Sequence, residues 1–401
     1  LVKILIEGVS LVLLRERAEF VKQGYIYIEN GVIRSFGAGR APEEYQYPEL
    51  LLSGSGRLLL KGFASGFTVL TLYPLRYKVD FVDWFLVKEI LKSMRRSDMY
   101  YVATLSLAEL VSSGVTEALV TDVYLDEVAR AARDVGINVT LAPPLNCGLN
   151  DEHQLQELKL LLSRWRQVEG VRIAVAVCGE LEERYVSIAR EFRIPLYVIN
   201  SEKEIEEIPD GVDVVLVNPR VASRLKTIYF GNMLSSWRED CGLGIGVRAS
   251  YSIREVLKEL IWMKKADPLG ALIAGTRITS EFIAYEDSSL IREGARSSIV
   301  IFNLSEPPGW PPPDSIDSAA KAITEGNLRI ETVIIGDDIV LDREGLLTVG
   351  YEIFKKAIKK VEEVYSTTPP LLDPLNCSRG YYPPLYYLVH SPSLLIRNVP
   401  C

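Results

Sequence analysis

Hydrophobic and polar positions alternate with a period of two at both ends of this chain, and between the ends the apolar positions come in short bursts. Val2-Lys3-Ile4-Leu5-Ile6-Glu7 and Gly24-Tyr25-Ile26-Tyr27-Ile28-Glu29 each send side chains to two faces of a strand, and Asn30-Gly31 divides the second run from Val32-Ile33. An Asn-Gly pair between alternating runs predicts a tight hairpin, because both residues tolerate positive φ. The same alternation returns at 298–304 and 332–341. Strands at both termini, with no long helix among them, predict one small β-domain assembled from the two ends.

The middle of the chain reads differently. Apolar runs at 58–63, 115–120, 137–142, 171–177, 195–200, 212–218 and 242–247 alternate with helical patterns, which predicts repeated βα units around a parallel sheet. Helices fit 100–113 and 126–135, each followed by a glycine (Gly114, Gly136) suited to a helix C-terminus. Seven strands fall one short of a closed eight-stranded barrel. The shortfall lies between 202 and 242. The expectation is an irregular barrel, with a seventh strand hidden within 219–235.

Composition narrows the setting. The 401 residues are 48% apolar and 24% charged, with a net charge of −8, so there is no basic excess to neutralise a nucleic acid backbone. No signal-peptide pattern and no apolar run of membrane-spanning length is found, so the expected setting is cytoplasmic and off the membrane. The five cysteines (Cys147, Cys178, Cys241, Cys377, Cys401) show no close spacing and read as buried free thiols. Histidine is scarce: His153 and His390 are the only two. His153 reads as an exposed residue of a loop or helix start.

Residues 58–72, LLLKGFASGFTVLTL, follow a GSG at 54–56. The phrase resembles the LLLPGFVNGHTHL signature of the amidohydrolase superfamily, in its cytosine deaminase, chlorohydrolase and aminohydrolase branch. GYIYIENGVIRSFG, EGARSSIVIFNL, AELVSSGVT and EVARAARDVGI resemble further phrases of that family, although Ser297-Ser298 stands where Ala-Asp is usual. The resemblance covers about 1–365. It implies an α/β fold: an amidohydrolase-like (β/α)8 TIM barrel, irregular or shortened near strands 6–7, with a composite β-sandwich. The expected division is 1–55 plus 292–365 for the sandwich, 56–291 for the barrel, and 366–401 for a Tyr/Pro-rich tail. That tail reads as a strap for a partner or for the chain's own barrel.

Members of that family hold a catalytic divalent ion with imidazoles and a carboxylate at the C-terminal ends of barrel strands, where the ion activates water. Position by position, the resemblance implies that these ligands are lost. Phe67 and Val69 stand in place of the His-x-His pair, and Ile199 in PLYVINSE replaces the next histidine. No histidine occurs between 154 and 389 to serve strand six. Gly246 in GLGIGVRAS takes the place of the aspartate, and Glu202 matches the family's proton-shuttling glutamate. Phe67, Val69 and Ile199 are expected to plug the barrel mouth.

Other candidates come from the residues themselves. Arg220 and Arg248 follow barrel strands and could bind a carboxylate or phosphate. Lys61, where the family has proline, is expected to reach the surface. Glu202 with Asp80, Asp83 or Cys178 is the residual ligand set for an enzyme reading, a hydrolase of non-peptide C–N bonds with a non-standard site. The leading expectation is a homologue without metal or cofactor that acts in binding or assembly. Its partners would be a small-molecule ligand, further copies of itself or an active paralogue. A sensor of a nucleobase-like molecule is the third reading.

Overall fold

A computed structural model describes residues 2–79, 82–205 and 208–367. Two segments far apart in the chain, 3–61 and 298–346, form one sheet. Strands Lys3–Leu14 and Ala18–Glu29 pair antiparallel, and Asn30 and Gly31, both at positive φ, turn the chain into Val32–Ala38. The sheet continues through Leu50–Ser53 and Arg57–Lys61 to Ser298–Asn303, Ile330–Ile335, Asp338–Asp342 and Gly345–Leu346, nine strands in all. Arg57–Lys61 joins the halves, running parallel to Ser10-Leu11-Val12 and antiparallel to Ile299–Asn303. The run at 58–63 is therefore not a barrel strand, as its apolar character suggested. The barrel begins one glycine later, at Phe63–Thr68. A Cβ on Gly62 would lie 2.3 Å from Thr116 Oγ1, so only glycine fits between the sheet strand and the second barrel strand.

Eight parallel barrel strands follow. After Phe63–Thr68 come Val115–Val120, then Asn138–Leu141 continued by Pro144–Leu145, then Val171–Ile173 continued by Val175–Cys178. Leu196–Ile199, Val214–Val217, Thr227–Tyr229 and Gly242–Leu243 complete the set. All neighbours pair parallel, and a Thr68↔Gly246 bridge closes the ring. The interruption in the third strand falls at Ala142-Pro143, and Pro143 lacks the N–H that a ladder needs. Every residue of Val115–Val120 is buried, as in a strand covered on both faces.

The barrel is irregular where the sequence ran short. Between the sixth and seventh strands, residues 218–226 form no helix, and the seventh strand is three residues long. Helices Arg96–Ser112 and Leu125–Val135 sit where the pattern placed them, with Gly136 left-handed at the end of the second. Residues 201–205, which include Glu202, form no helix. Residues 351–367 form a helix, and the rest of the tail, with Cys377, His390 and Cys401, lies outside the described residues.

Two further expectations are corrected. Lys61 does not reach the surface: it is 2% exposed, and its Nζ donates to Glu117 Oε2 at 2.9 Å and to the Gly62 carbonyl at 3.0 Å. Glu117 also accepts from Ser280 and Ser288 at 2.5 Å each, so its buried charge is matched on both oxygens. Burial pushes the Lys61 pKa down, and Glu117 beside it pulls the other way. Nor are all the described cysteines free thiols. Cys147 and Cys178 form a disulfide, with Cα atoms 5.1 Å apart, whereas Cys241 is free and buried. The cause is topological. Leu145 pairs with Val177 between adjacent barrel strands, so residues 31 apart in sequence leave the barrel side by side.

Candidate functional site

In an eight-stranded βα barrel, chemistry gathers where the strands end at their C-termini. That end of this barrel is apolar and filled. Phe67, at the end of the first strand, stacks on Phe230, just past the seventh, with ring centroids 4.7 Å apart and planes 11° from parallel. Phe67 and Val69 are 0% exposed and Ile199 is 2% exposed. Val69 contributes its carbonyl, which accepts from the Tyr251 hydroxyl at 2.9 Å. Gly246 donates its N–H to the Phe67 carbonyl at 2.8 Å and holds φ at +66°. A Cβ there would lie 2.6 Å from the Phe230 ring, so the family's aspartate has no room at this position.

The divalent ion implied by the resemblance needs nitrogen and carboxylate donors. These positions offer two aromatic rings, two aliphatic side chains and a glycine, so the residues present do not fit the ion. Among the described residues there is no group of three or more His, Cys, Asp and Glu that could hold one.

One carboxylate does sit at the mouth, and sequence reasoning passed over it. Asp122 follows the second barrel strand and is fully buried. It accepts from Leu70 N at 2.6 Å, Thr71 N at 2.8 Å, Thr71 Oγ1 at 2.5 Å and Val123 N at 2.8 Å. Burial pushes its pKa up to about 6, against the pull of those hydrogen bonds. Its signal was available: a carboxylate two residues past the end of an apolar barrel strand. With every partner coming from the chain's own loops, Asp122 clamps the segment that leaves the first strand.

The remaining candidates lie apart from the mouth. The Glu202 side chain is 65% exposed and accepts from Arg220 Nη1 at 2.7 Å. Arg248 forms an ion pair with Glu259. Asp83 caps the short helix Trp84–Ile90 by accepting from Phe85 N at 2.8 Å. Cys178 is spent in the disulfide and cannot be a thiolate ligand, and Asp80 lies outside the described residues. The structure thus does not gather Glu202, Asp83 and Cys178 into a site. His153 is exposed on the first turn of helix Asp151–Arg164, where it lines a cleft with Lys88 and Tyr124.

Comparison with known proteins places this geometry. No protein-family model matches the chain. A 5-methylthioadenosine/S-adenosylhomocysteine deaminase of Syntrophomonas wolfei is 25% identical over 221 residues, 51% of this chain and 50% of that protein. The chain thus spans about half the length of that relative. A protein of the same description from Dictyoglomus turgidum is 20% identical over 419 residues, 87% of this chain and 96% of the relative. Among solved structures, an adenosine deaminase from Xanthomonas campestris with bound zinc aligns at a TM-score of 0.76 and 13% identity, covering 91% of this chain and 99% of that one. The zinc complex of atrazine chlorohydrolase TrzN from Arthrobacter aurescens aligns at 0.72 and 15% identity, covering 89% and 100%. The barrel with its added sheet is the fold of these enzymes. The chain is a divergent homologue of the metal-dependent deaminases and hydrolases of the amidohydrolase superfamily, without a metal-binding cluster among its described residues.

Proposed function

We propose that this chain is a non-hydrolytic homologue that acts by binding or assembly, with a small molecule, a second copy or an active paralogue as partner. The observation that carries this reading is the Phe67–Phe230 stack, which occupies the end of the barrel where an ion and a substrate would have to meet. The Gly246 contact supports it, because the missing aspartate is excluded sterically as well as by identity. Glu202, the one family residue retained, is exposed and paired with Arg220 rather than turned toward the mouth chemistry.

A net charge of −8 speaks against nucleic acid as partner, and no helix among the described residues is long and apolar enough to cross a membrane. The cytoplasmic setting expected from the sequence belongs to this reading. The Cys147–Cys178 disulfide weighs against it, since such bonds favour oxidising compartments.

The test is ammonia release from adenosine, 5-methylthioadenosine and S-adenosylhomocysteine by the full chain, with and without added zinc. The expected result is no release above buffer. Turnover that depends on zinc and is lost in Glu202→Gln would overturn the reading.

A further inference from the structure

The helix at 351–367 carries more apolar surface than the barrel covers. Tyr351–Thr367 packs on helix Arg96–Ser112, and its Ala357 and Val364 are buried. At about 3.6 residues per turn, Tyr351, Phe354, Ile358, Val361 and Tyr365 form a stripe along one flank of that buried face. Their alternating spacing of three and four residues is that of a helix built to meet another helix. Phe354 and Val361 lean on the barrel's core, whereas Tyr351, Ile358 and Tyr365 are 76%, 44% and 43% exposed. The stripe is half used. Tyr365 is also held in place, with Lys78 Nζ 3.8 Å from its ring centroid.

The charges beside the stripe point to what covers the rest. Lys355 and Glu362, both exposed, lie two turns apart along its solvent edge. Lys360, on the other side, is taken by Glu363 and Asp98. The solvent edge is thus basic towards the start of the helix and acidic towards its end. A second copy of the helix, laid antiparallel about a two-fold axis near Ile358, sets Lys355 of each copy against Glu362 of the other. The same rotation brings Ile358 onto its own counterpart and Tyr351 towards Tyr365. A parallel copy would instead set like charges level with each other. Complementarity to itself under a two-fold rotation is what a symmetric dimer requires of one surface.

We propose that this flank of helix Tyr351–Thr367 is a self-association surface, on which two copies of the chain pair antiparallel about Ile358. The proposal rests on the reading that the chain acts by binding or assembly, and it names the partner and the residues that meet it. One helix pair is a small interface, so the dimer is expected to form with a Kd of about 10 μM rather than in the nanomolar range.

Sedimentation of the full chain between about 1 and 200 μM is expected to show a reversible monomer–dimer equilibrium. Ile358→Asp sets two charges together at the axis and should leave the chain monomeric throughout. Its melting temperature at about 1 μM, where the parent is also monomeric, should match the parent's, because the side chain is exposed in the single chain. Lys355→Glu and Glu362→Lys should each weaken the dimer about tenfold, since each sets like charges together twice. The double variant carrying both exchanges should recover the parent's affinity, an outcome that a merely structural role for either charge would not give. A chain that stays monomeric at about 200 μM overturns the proposal, the stripe then being left to another partner or to the chain's own tail. So does a dimer indifferent to Ile358→Asp, or a double variant no tighter than the single ones. Zinc-dependent ammonia release would sink the non-hydrolytic reading without moving these masses, so the two failures are distinguishable.

Discussion

At the N-terminal end of the barrel strands, Lys61 and Glu117 are buried with Ser280, Ser288 and the Gly62 carbonyl around them, and the charges of the pair are met by hydrogen bonds. At the C-terminal end, Phe67, Phe230, Ile199 and Ile245 close the barrel with carbon. A barrel enzyme has the opposite layout, with chemistry at the C-terminal end and stability at the other. The difference lies in how each end matches its buried groups. Buried imidazoles and carboxylates without a cation are unmatched polar groups, each costly to keep, so apolar replacements stabilise the barrel. The buried charge that persists is the one that brought its own partners.

Breaking the polar end should have the largest effect. Lys61→Met leaves Glu117 without its cation and is expected to cost about 3–5 kcal/mol in urea unfolding. Adding Glu117→Gln should return much of it. A loss of under about 1 kcal/mol in the single variant would mean that the pair is not buried as described.

Next in size is the tie between the third and fourth strands. Closing a loop of this length by a disulfide stabilises by about 3–4 kcal/mol on the chain-entropy account. Cys147→Ser with Cys178→Ser should lose about that much, and reductant should then have no further effect. If reductant leaves the parent's unfolding curve in place, the bond is not formed in solution.

The mouth's own carboxylate gives a pH test. The Asp122 pKa is raised to about 6 from 3.8, so the folded state holds this proton more tightly than the unfolded chain. Its contribution is fully present below pH 3.8 and is lost as pH rises through about 6, by at most about 3 kcal/mol. Stability measured between pH 4 and 7 should fall less steeply in Asp122→Asn than in the parent. Parallel profiles would remove Asp122 from the account. The smallest effect is expected from Gly246→Ala, where positive φ and overlap with Phe230 together cost about 1–3 kcal/mol. An unchanged melting temperature would show that the Phe230 ring yields freely.

Much of this architecture was legible in the chain. Period-two runs and Asn30-Gly31 marked the outer sheet, and Gly114 and Gly136 marked helix ends, because backbone geometry restricts which residues stand there. That Phe67, Val69, Ile199 and Gly246 carry no metal-binding chemistry could be read from the chain as well. What was missed depends on contacts between distant segments. Lys61 read as surface-bound because nothing local showed that Glu117, 56 residues on, would meet it. The disulfide was missed for the same reason, although Cys147 lies just past one barrel strand and Cys178 ends the next. The seventh strand, Thr227–Tyr229, lies within the expected 219–235, and only its bounds were hidden, because three residues are too short to carry a period.

The central claim is that the barrel mouth cannot hold the family's ion, and metal content tests it most directly. The full chain, purified without chelators and then dialysed against zinc and chelator-free buffer in turn, is analysed by elemental mass spectrometry. The account predicts less than about a tenth of an equivalent of zinc, iron, manganese or nickel. A full equivalent that survives dialysis and is released in a Glu202→Gln or Asp122→Asn variant would contradict it.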